Sequence, residues 1–340
     1  MTRRTAALAA GSVLLVLFGL FGAAVPVPYV AQVPGPTYNT LGEIDGEPVI
    51  SIEGRDRPET SGNLNLTTVG VSGGGLSLVQ AVRGWFDDEV SIVPEESVYP
   101  PGRSEDEVRQ ANREAFLTSE EVAMSAALGH LGYPVRVVVR ALAEDSPSAD
   151  ALEEGDAVVT VDGRRTPDLA TLTEVLTTIP PGSEVEVGYR RQGRDASTTV
   201  TTAEAPERDG SLLGIAVREM PSAPFDVDIQ VEDVGGPSAG LMLTLGIIEL
   251  AGDQDLTGGG LVAGTGTIDE QGAVGPIGGI ALKAVSAEDL GADLFLVPAA
   301  NCAELLAAGD PEVPTARVET LDDALAALED LRGGRAPEPC

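Results

Sequence analysis

The chain has 340 residues, of which 43% are hydrophobic, and this length allows about two domains with well-formed cores. Its formal net charge is −33 at pH 7, from 54 acidic and 21 basic residues. Because nucleic-acid binding depends on cations that neutralise phosphates, this charge argues against nucleic acid as a partner. The acidic residues are better explained as a solvating surface.

The first segment with a distinct pattern is apolar. Residues 5–25 carry no charge and follow Arg3 and Arg4. About 20 apolar residues span a bilayer, and flanking cations stay on the cytoplasmic side. We therefore expect an uncleaved membrane helix over residues 5–28, after a cytoplasmic stub at residues 1–4. The body would lie outside the cell, held at the cell membrane by a single span. A cleaved signal peptide is the alternative, because it has the same order of basic, apolar and small residues.

The next segments predict strands and one long helix. Residues 49–54 and 63–71 contain alternating apolar and polar side chains, which is typical of strands. The glycine-rich stretch at residues 72–75 has no following Gly-Lys-Ser/Thr, so we interpret it as a tight turn rather than a phosphate loop. From Ser104 the chain reads Ser-Glu-Asp-Glu, an N-cap with an acidic first turn, and predicts a helix as far as Gly132.

Residues 134–202 form a separate unit of strands with one helix. The unit contains Leu-Glu-Glu-Gly-Asp at 152–156, Val-Asp-Gly at 161–163 and Pro-Gly at 181–182. These motifs resemble those of PDZ domains, which bind an extended peptide by adding it to a sheet edge. The resemblance implies a mostly-β peptide-binding domain. A structural spacer with a blocked groove is the alternative.

A PDZ domain also has a loop that receives the carboxylate of its peptide. From the resemblance, we place this loop just before the first strand of the unit. The candidate peptide-binding residues there are Leu131, Gly132, Tyr133 and Val135.

Ser238 stands out in the sequence that follows. It lies in Gly-Gly-Pro-Ser-Ala-Gly, at the start of an apolar run that ends near Gly252. Pro237 suits the first helical position, which makes Gly236 the N-cap and puts Ser238 in the first turn. The run is apolar nearly all round and predicts a helix inside a core. First-turn N–H groups lack intrahelical partners and suit a developing oxyanion, although a hydroxyl here can also serve capping alone.

Lys283 is the only lysine in the chain. Arginine serves a surface charge equally well but cannot lose its proton near neutral pH, so the retained amine points to chemistry. A helix over 280–290, ending at Gly291, would place Lys283 on a face with small apolar residues. Burial lowers the pKa of an amine, as a general base near neutral pH requires. A lysine left by chance, with its head in solvent, is the alternative.

Elimination favours a pair of these two residues. The single histidine, His130, lies more than a hundred residues before Ser238, which disfavours a Ser-His-Asp triad. If Ser238 is a nucleophile, Lys283 is the strongest candidate base, in the Ser-Lys variant of the triad.

The motifs Gly-Gly-Pro-Ser-Ala-Gly, Gly-Thr-Gly-Thr-Ile-Asp, Pro-Ile-Gly-Gly-Ile-Ala-Leu-Lys and Val-Pro-Ala-Ala-Asn occur in this order over about residues 226–301. They resemble the proteolytic domain of Lon-type serine proteases. The resemblance implies that Ser238 is the nucleophile, that Lys283 is the base and that Thr265 supports the lysine amine. Gly235 departs from the family, which usually has an acidic residue at this position.

The whole layout is most similar to bacterial Lon-like proteases that combine a membrane anchor with a PDZ domain. We expect an α/β (α+β) Lon-type proteolytic domain with an inserted mostly-β PDZ domain and one N-terminal transmembrane helix. The predicted segments after the anchor are a linker (29–44), the N-terminal part of the Lon-like domain (45–132), the PDZ domain (133–204), a linker (205–214), the catalytic part (215–332) and a mobile tail (333–340).

The predicted function is that of an ATP-independent serine endopeptidase acting on proteins or peptides. We expect no cofactor, no metal, no nucleic acid and no ATP, and the resemblance implies a homo-oligomeric ring. A catalytically inactive Lon-like scaffold that binds peptides through its PDZ domain is the alternative. Cys302 and Cys340 are compatible either with a disulfide, if the body is extracellular, or with two free thiols.

Overall fold

The structure is a computed structural model that describes residues 11–340 apart from residues 15, 18–20, 24, 57, 59, 74, 88, 143, 144, 207–209, 232, 233 and 253. The predicted membrane helix falls partly outside the described residues. Of its positions, residues 11–14, 16, 17 and 21–23 are described and helical. No helix formed by the described residues is long and apolar enough to cross a membrane.

The helices are, in chain order, α1 (Leu78–Gly84), α2 (Glu95–Val98), α3 (Glu105–His130), α4 (Leu169–Thr177), α5 (Gly240–Ala251), α6 (Ile280–Leu290), α7 (Cys302–Ala308) and α8 (Leu321–Arg332). The longer strands are β1 (Tyr29–Asn39), β2 (Ile50–Glu53), β3 (Asn63–Val71), β4 (Ser91–Pro94), β5 (Val135–Leu142), β6 (Ala157–Val161), β7 (Glu184–Arg191), β8 (Arg194–Thr201), β9 (Ile215–Pro221), β10 (Asp226–Ile229), β11 (Leu261–Gly264), β12 (Leu294–Pro298) and β13 (Thr315–Val318). Strands of two residues are Pro26–Val27, Glu43–Ile44, Glu47–Pro48, Leu76–Ser77, Arg164–Arg165, Ala203–Glu204, Ser211–Leu212, Thr267–Ile268 and Val274–Gly275.

The larger sheet combines two distant parts of the chain. Its strand order is β13–β12–β11–β3–β1–β4. The first four strands are mutually parallel, and β1 and β4 complete the sheet in antiparallel pairing. Because β1 and β3 precede the PDZ unit in sequence and β11 follows it, this sheet brings together the segments on either side of that unit. The prediction of a linker over residues 29–44 is therefore wrong, since β1 is paired with β3 on one side and with β4 on the other.

Helices cover both faces of this sheet. Neighbouring strand residues alternate between faces, so Leu64 and Leu66 of β3 pack with α3, α5 and α8 on one side. On the other side, Ala263 and Phe295 pack with α6 and α7. Every residue of α5 is buried, which confirms that its all-round apolar sequence belongs in the core. The result is a three-layer α/β arrangement.

The ends of two predicted helices follow from their sequences. The hydroxyl of Ser104 accepts a hydrogen bond from the N–H of Glu107, whose carboxylate in turn accepts one from the N–H of Ser104. This capping box starts α3 as predicted. Gly291 ends α6 in the left-handed conformation, with φ of 72°, which glycine adopts without strain.

The smaller sheet is antiparallel, with strand order β8–β7–β6–β5–β9 and α4 packed on it. Strand β9 pairs with β5 along its length, from Ile215 opposite Leu142 to Pro221 opposite Val135. The sequence predicts that the residues from 215 onward belong to the catalytic part. That boundary is corrected, because β9 belongs to the PDZ sheet. Strand β9 pairs with residues that lie 73 (215 − 142) to 86 (221 − 135) positions earlier in the chain, and a local sequence pattern does not reveal such a pairing.

The C-terminal tail is tied to the larger domain. Cys302 and Cys340 form a disulfide, with the sulfur atoms 2.07 Å apart. The N–H of Arg317 on β13 donates a 2.8 Å hydrogen bond to the carbonyl of Glu338. The structure therefore has the bridge rather than two free thiols, and the expectation of a mobile tail is corrected.

Candidate active site

Ser238 lies in a 3₁₀ turn that leads directly into α5, and α3 holds this turn from behind. The N–H of Gly236 donates a 2.8 Å hydrogen bond to the carbonyl of Asn112. The hydroxyl of Ser119 donates to the carbonyl of Pro237 at 3.2 Å. Gly236 has φ of 84°, a conformation that favours glycine. The Gly-Gly-Pro-Ser sequence thus gives the turn its shape, and two contacts from α3 fix its position.

Lys283 lies in the first turn of α6, and a glycine brings that turn close to β3. Gly279 precedes α6 with φ of 71°, and a Cβ atom added there would lie 2.9 Å from Cγ2 of Val69. A larger residue would therefore push the helix away from the strand. The close approach lets the lysine side chain reach the main chain of β3.

The amine of Lys283 has three hydrogen-bond partners, each at 2.9 Å. They are Oγ of Ser238, Oγ1 of Thr265 and the main-chain carbonyl of Thr67. The lysine is only 3% exposed. Burial lowers the pKa of Lys283 to about 7, because a charged amine loses its hydration there. Near neutral pH a large fraction of this amine is therefore uncharged.

The three contacts leave one arrangement of protons for the neutral amine. The carbonyl of Thr67 can only accept, so the amine donates to it. The hydroxyl of Thr265 donates its own proton to the carbonyl of Ser238 at 3.1 Å, so it also accepts from the amine. A neutral amine has two protons and one lone pair, and both protons are now used. The lone pair is left for the hydroxyl proton of Ser238, as proton abstraction requires.

The same turn offers donors for a negative oxygen. Within the described part of the chain, no side chain makes a capping hydrogen bond to the turn that carries Ser238. The first N–H groups of this turn also lie at the positive end of the α5 dipole. An oxyanion formed beside the Ser238 hydroxyl is stabilised by both features.

A cleft of about 960 Å³ contains Ser238 and Lys283 in its lining. Its walls combine apolar and aromatic side chains with main-chain groups of β3. The apolar and aromatic residues include Tyr38, Leu66, Val71, Val98, Tyr99 and Val234. The cleft is large enough for several residues of an extended polypeptide, and its apolar walls suit apolar side chains of such a chain.

The predicted peptide-binding residues of the PDZ unit lie elsewhere and do not border an open sheet edge. Leu131 and Tyr133 pack against the core of the larger domain, and the ring of Tyr133 makes an edge contact with Phe225. Val135 starts β5, which is paired on one side with β6 and on the other with β9. A strand with both edges paired cannot accept a peptide, so the placement of the groove at Leu131, Gly132, Tyr133 and Val135 is corrected.

The structure adds three residues that the sequence analysis did not identify. Thr67 and Asn112 each contribute a main-chain carbonyl as a hydrogen-bond acceptor. Their side chains therefore give no sequence signal for this role. Ser119 lies within the predicted helix 104–132, but its partner Pro237 is 118 residues away. Among the described residues there is no cluster of three or more His, Cys, Asp or Glu side chains that could hold a metal ion.

Comparison with known proteins gives two family matches. Residues 103–202 match the PDZ domain family, and residues 230–327 match the Lon protease (S16) C-terminal proteolytic domain. The first match starts before α3, whereas the PDZ sheet itself starts at β5. The second match includes Ser238, Thr265 and Lys283.

One curated protein and several solved PDZ domains are similar to part of the chain. A probable periplasmic serine endoprotease, DegP-like, from Halomonas elongata is 31% identical over 105 residues, which cover 27% of this chain. The aligned part spans only 22% of that relative. PDZ domains of SdrC-like proteins from Listeria monocytogenes and Listeria innocua are each 20% identical. Each covers 24% of this chain, and 86% and 92% of the respective solved chains, with a TM-score of 0.23.

The two family matches define the class of protein. The chain contains a PDZ domain and a Lon-type proteolytic domain with mixed α and β structure. This combination of domains matches that of a PDZ-containing Lon-like protease.

Proposed function

We propose that this protein is a serine endopeptidase in which Ser238 is the nucleophile and Lys283 the general base. The observation that carries the proposal is the 2.9 Å contact between Nζ of Lys283 and Oγ of Ser238, made by an amine whose pKa burial lowers to about 7. An inactive scaffold would gain nothing from this amine, because burying it without a charged partner costs free energy. The contact therefore favours the enzyme over the peptide-binding scaffold.

The proposed reaction has two halves. Neutral Lys283 takes the hydroxyl proton of Ser238 while Oγ bonds to the peptide carbonyl carbon, and the carbonyl oxygen becomes the oxyanion. The intermediate then collapses, the C–N bond breaks, and the lysine ammonium gives its proton to the leaving nitrogen. A water molecule next attacks the acyl-enzyme, with Lys283 as base, and releases Ser238 and the second product as a carboxylic acid.

Independence from ATP is part of this proposal, because the sequence contains no GxxxxGK[ST] loop. Without nucleotide-driven unfolding, a substrate must enter the cleft as an already extended chain. The expected substrates are therefore flexible segments of proteins rather than folded domains. Peptidase activity in the absence of nucleotide tests this point directly.

We further propose that the PDZ unit binds peptides between β9 and α4. Strand β9 is the last strand of its sheet, so its outer edge is available for strand addition. The carboxylate of Glu219 on β9 accepts a 2.8 Å hydrogen bond from the N–H of Leu169 at the start of α4, which closes one end of this groove. Residues 211–214 precede β9 at the other end, where a peptide carboxylate would be received.

The membrane anchor also belongs to the proposal. The uncharged residues 5–25 and the preceding Arg3 and Arg4 support a single span with a cytoplasmic N-terminus. The Cys302–Cys340 disulfide favours an oxidising compartment for the body. Added protease should therefore digest the body of the protein in intact spheroplasts. A homo-oligomeric ring remains a proposal from the family resemblance.

Labelling with a fluorophosphonate serine probe tests the nucleophile. We expect the wild type to react and Ser238→Ala to remain unlabelled, with the same circular dichroism. Ser197→Ala, at an exposed position on β8, is the matched control and should label like the wild type. Equal labelling of Ser238→Ala would overturn the assignment, and the scaffold would then become the leading alternative.

A further inference from the structure

Helix α1 presents an apolar surface to solvent. Val79 and Val82 are each 40% exposed, Trp85 is 56% exposed and Phe86 is 86% exposed. We call these four residues the α1 patch. Val79 and Val82 follow the spacing that places side chains on one helix face, and Trp85 and Phe86 come directly after the last residue of the helix. A contiguous exposed group of large apolar side chains marks an interaction surface rather than an ordinary surface.

The protein holds this patch in a defined orientation. On the opposite side of the helix, Ala81 is buried with Leu76 and Ala31 in a small core of its own. The ring of Trp85 makes an edge contact with Tyr29, with ring centres 6.1 Å apart. A capping box between Ser77 and Gln80 fixes the start of the helix. The patch is therefore part of the fold, with its apolar side turned outward.

The patch lies directly against the end of the uncharged N-terminal segment. The N–H of Leu78 donates a 3.2 Å hydrogen bond to the carbonyl of Val25. A Cβ atom added at Gly22 would lie 3.3 Å from Cγ2 of Val79. Gly22 comes three residues before Val25, and three helical residues rise about 4.5 Å. If Val25 marks the outer end of a membrane span, the Val79 end of the patch lies about that far inside the membrane surface, close to the depth at which interfacial helices sit. Trp85 contacts Tyr29, which follows Val25 in the chain, so the Trp85 end lies nearer the membrane surface.

We propose that the α1 patch is a membrane seat, in which Trp85 and its apolar neighbours enter the boundary between lipid head groups and acyl chains. This inference rests on the membrane anchoring proposed above. Tryptophan is enriched at this boundary, because its ring combines an apolar body with a polar N–H. The seat would give the protein a second contact with the bilayer beside its anchor and would fix the orientation of the body.

The neighbouring charges define which lipid surface fits. Arg83 is exposed on the same helix and can extend to a lipid phosphate. Asp87 and Glu89 are exposed just after the patch, and they would repel an anionic surface. The seat therefore fits a zwitterionic bilayer, and its affinity should fall as anionic lipid is added.

The active-site cleft is connected to the patch through neighbouring aromatic residues. Tyr99 lines the cleft, and it also lines a smaller groove with Tyr29, the residue that Trp85 contacts. The loop from β3 to the strand before α1 contributes Gly73 to the cleft wall. A seated patch would thus hold the cleft near the bilayer, where it meets segments of proteins that emerge from the same membrane.

Trp85 is the only tryptophan in the chain, so its fluorescence reports on the patch without any added label. The full chain is reconstituted into phosphatidylcholine vesicles, and vesicle flotation is measured together with quenching by lipids brominated at shallow or deep acyl positions. We expect the protein to float, Trp85 emission to shift to shorter wavelength, and shallow bromines to quench more than deep ones.

Two variants separate the patch from the anchor. The double variant Val82→Ser, Phe86→Ser should float but lose at least half of the quenching, and should still cleave a soluble peptide at the wild-type rate. Leu306→Ser, which changes an exposed apolar residue on α7, should keep the full quenching.

A protein that floats without any lipid quenching of Trp85 overturns the seat and leaves the anchor intact. A blue shift that depends on protein concentration, without lipid quenching, shows that a second copy covers the patch and also overturns it. A protein that does not float removes the proposed anchor and the seat together.

Discussion

The main-chain carbonyl of Thr67 accepts a 2.9 Å hydrogen bond from Nζ of Lys283, although the two residues are 216 positions apart. Thr67 lies on β3, before the PDZ unit, and Lys283 lies on α6, after it. The parallel pairing of β3 with β11 creates this proximity. The candidate active site therefore depends on both segments of the larger domain. The PDZ unit is inserted in the sequence between these two segments, which pair in one sheet.

The neutral amine of Lys283 gives the first prediction, a pH dependence. The base works only without its proton, and its pKa lies at about 7. The kcat/KM for a short fluorogenic peptide should therefore rise about tenfold per pH unit below that value and level off above it. The profile is measured between pH 5 and pH 9 in buffers of constant ionic strength.

Lys283→Arg provides the control for this profile. It keeps the charge and bulk but cannot act as a base near neutral pH, so activity should fall about 10⁴-fold or more, as in Ser238→Ala. Lys283→Gln should also be inactive, which separates loss of the base from loss of the charge. A folded Lys283→Arg protein with near wild-type activity would disprove the Ser-Lys pair.

Thr265 is expected to act as a positioning residue for the lysine. Its hydroxyl accepts from Nζ of Lys283 and donates to the carbonyl of Ser238. Thr265→Val keeps the shape but leaves a buried donor and acceptor unpaired, at a cost of about 1–3 kcal/mol. We predict a loss of kcat/KM between about fivefold and about a hundredfold, together with a shift of the pH profile.

Thr265→Ser restores the hydroxyl and should recover most of the activity and the original profile. If both variants lose activity equally, the methyl group of Thr265 matters more than its hydroxyl, and the positioning role is wrong.

Much of this arrangement was predictable because its signals are local. The capping box at Ser104 defines the start of α3, and the glycines around α6 define both of its ends. The retained amine of Lys283 and the turn residues before Ser238 identified the candidate site. Such features depend on neighbouring residues, so a single sequence contains them.

The features that the sequence does not predict depend either on strand pairing between distant residues or on main-chain atoms. The short strand β9 has no pattern that states whether it joins the PDZ sheet or the larger one. The PDZ resemblance alone places the peptide groove before β5, at Leu131 and its neighbours, rather than beside β9. Every residue type has a main-chain carbonyl, so the side chains of Thr67 and Asn112 do not identify these two residues as part of the site.

The Cys302–Cys340 disulfide should stabilise the C-terminal part of the larger domain. It links residues separated by 38 positions, for which chain entropy in the unfolded state gives at most about 4 kcal/mol. Urea unfolding of the wild type should therefore show a lower midpoint after reduction. The double variant Cys302→Ser, Cys340→Ser should match the reduced wild type and should not respond to reductant. Equal midpoints for oxidised and reduced wild type would show that the bridge adds no stability.

Glu249 should make stability depend on pH. It lies in α5, is 1% exposed, and its buried Oε1 atom has no hydrogen-bond partner among the residues that the structure describes. Burial, and then the nearby Asp255, raise the pKa of Glu249 from 4.5 to about 7. Between these values the folded protein keeps a proton that the unfolded chain has lost, so the free energy of unfolding falls as pH rises from about 4.5 to about 7.

Glu249→Gln removes this ionisation. The variant should be more stable than the wild type at pH 8, by up to about 3 kcal/mol, since one pKa unit corresponds to about 1.4 kcal/mol. The difference should shrink towards pH 4.5, where both side chains are neutral. Chemical denaturation at several pH values measures it, and a difference that stays constant with pH would contradict the raised pKa.

Glu121 links the PDZ sheet to the helix behind Ser238. This carboxylate on α3 forms ion pairs with Arg140 on β5 and, at 3.1 Å, with Arg218 on β9. The three side chains are partly exposed, so each pair contributes at most about 1 kcal/mol. The same helix holds the turn of Ser238 through Asn112 and Ser119. The binding of a peptide along β9 can therefore affect the Ser238 turn through the ion pair between Arg218 and Glu121 and through helix α3.

We predict that a saturating peptide in the PDZ groove changes the kcat/KM of the wild type for a short fluorogenic substrate by up to about fivefold, since the one ion pair from Glu121 to β9, with Arg218, is worth at most about 1 kcal/mol. Glu121→Gln keeps the size but removes the charge, so it should reduce this response by at least half while peptide affinity changes less than about twofold. Glu114→Gln, which changes an exposed carboxylate on the same helix, is the matched control and should keep the full response. Equal responses in the two variants would show that the PDZ groove and the Ser238 turn do not communicate through Glu121.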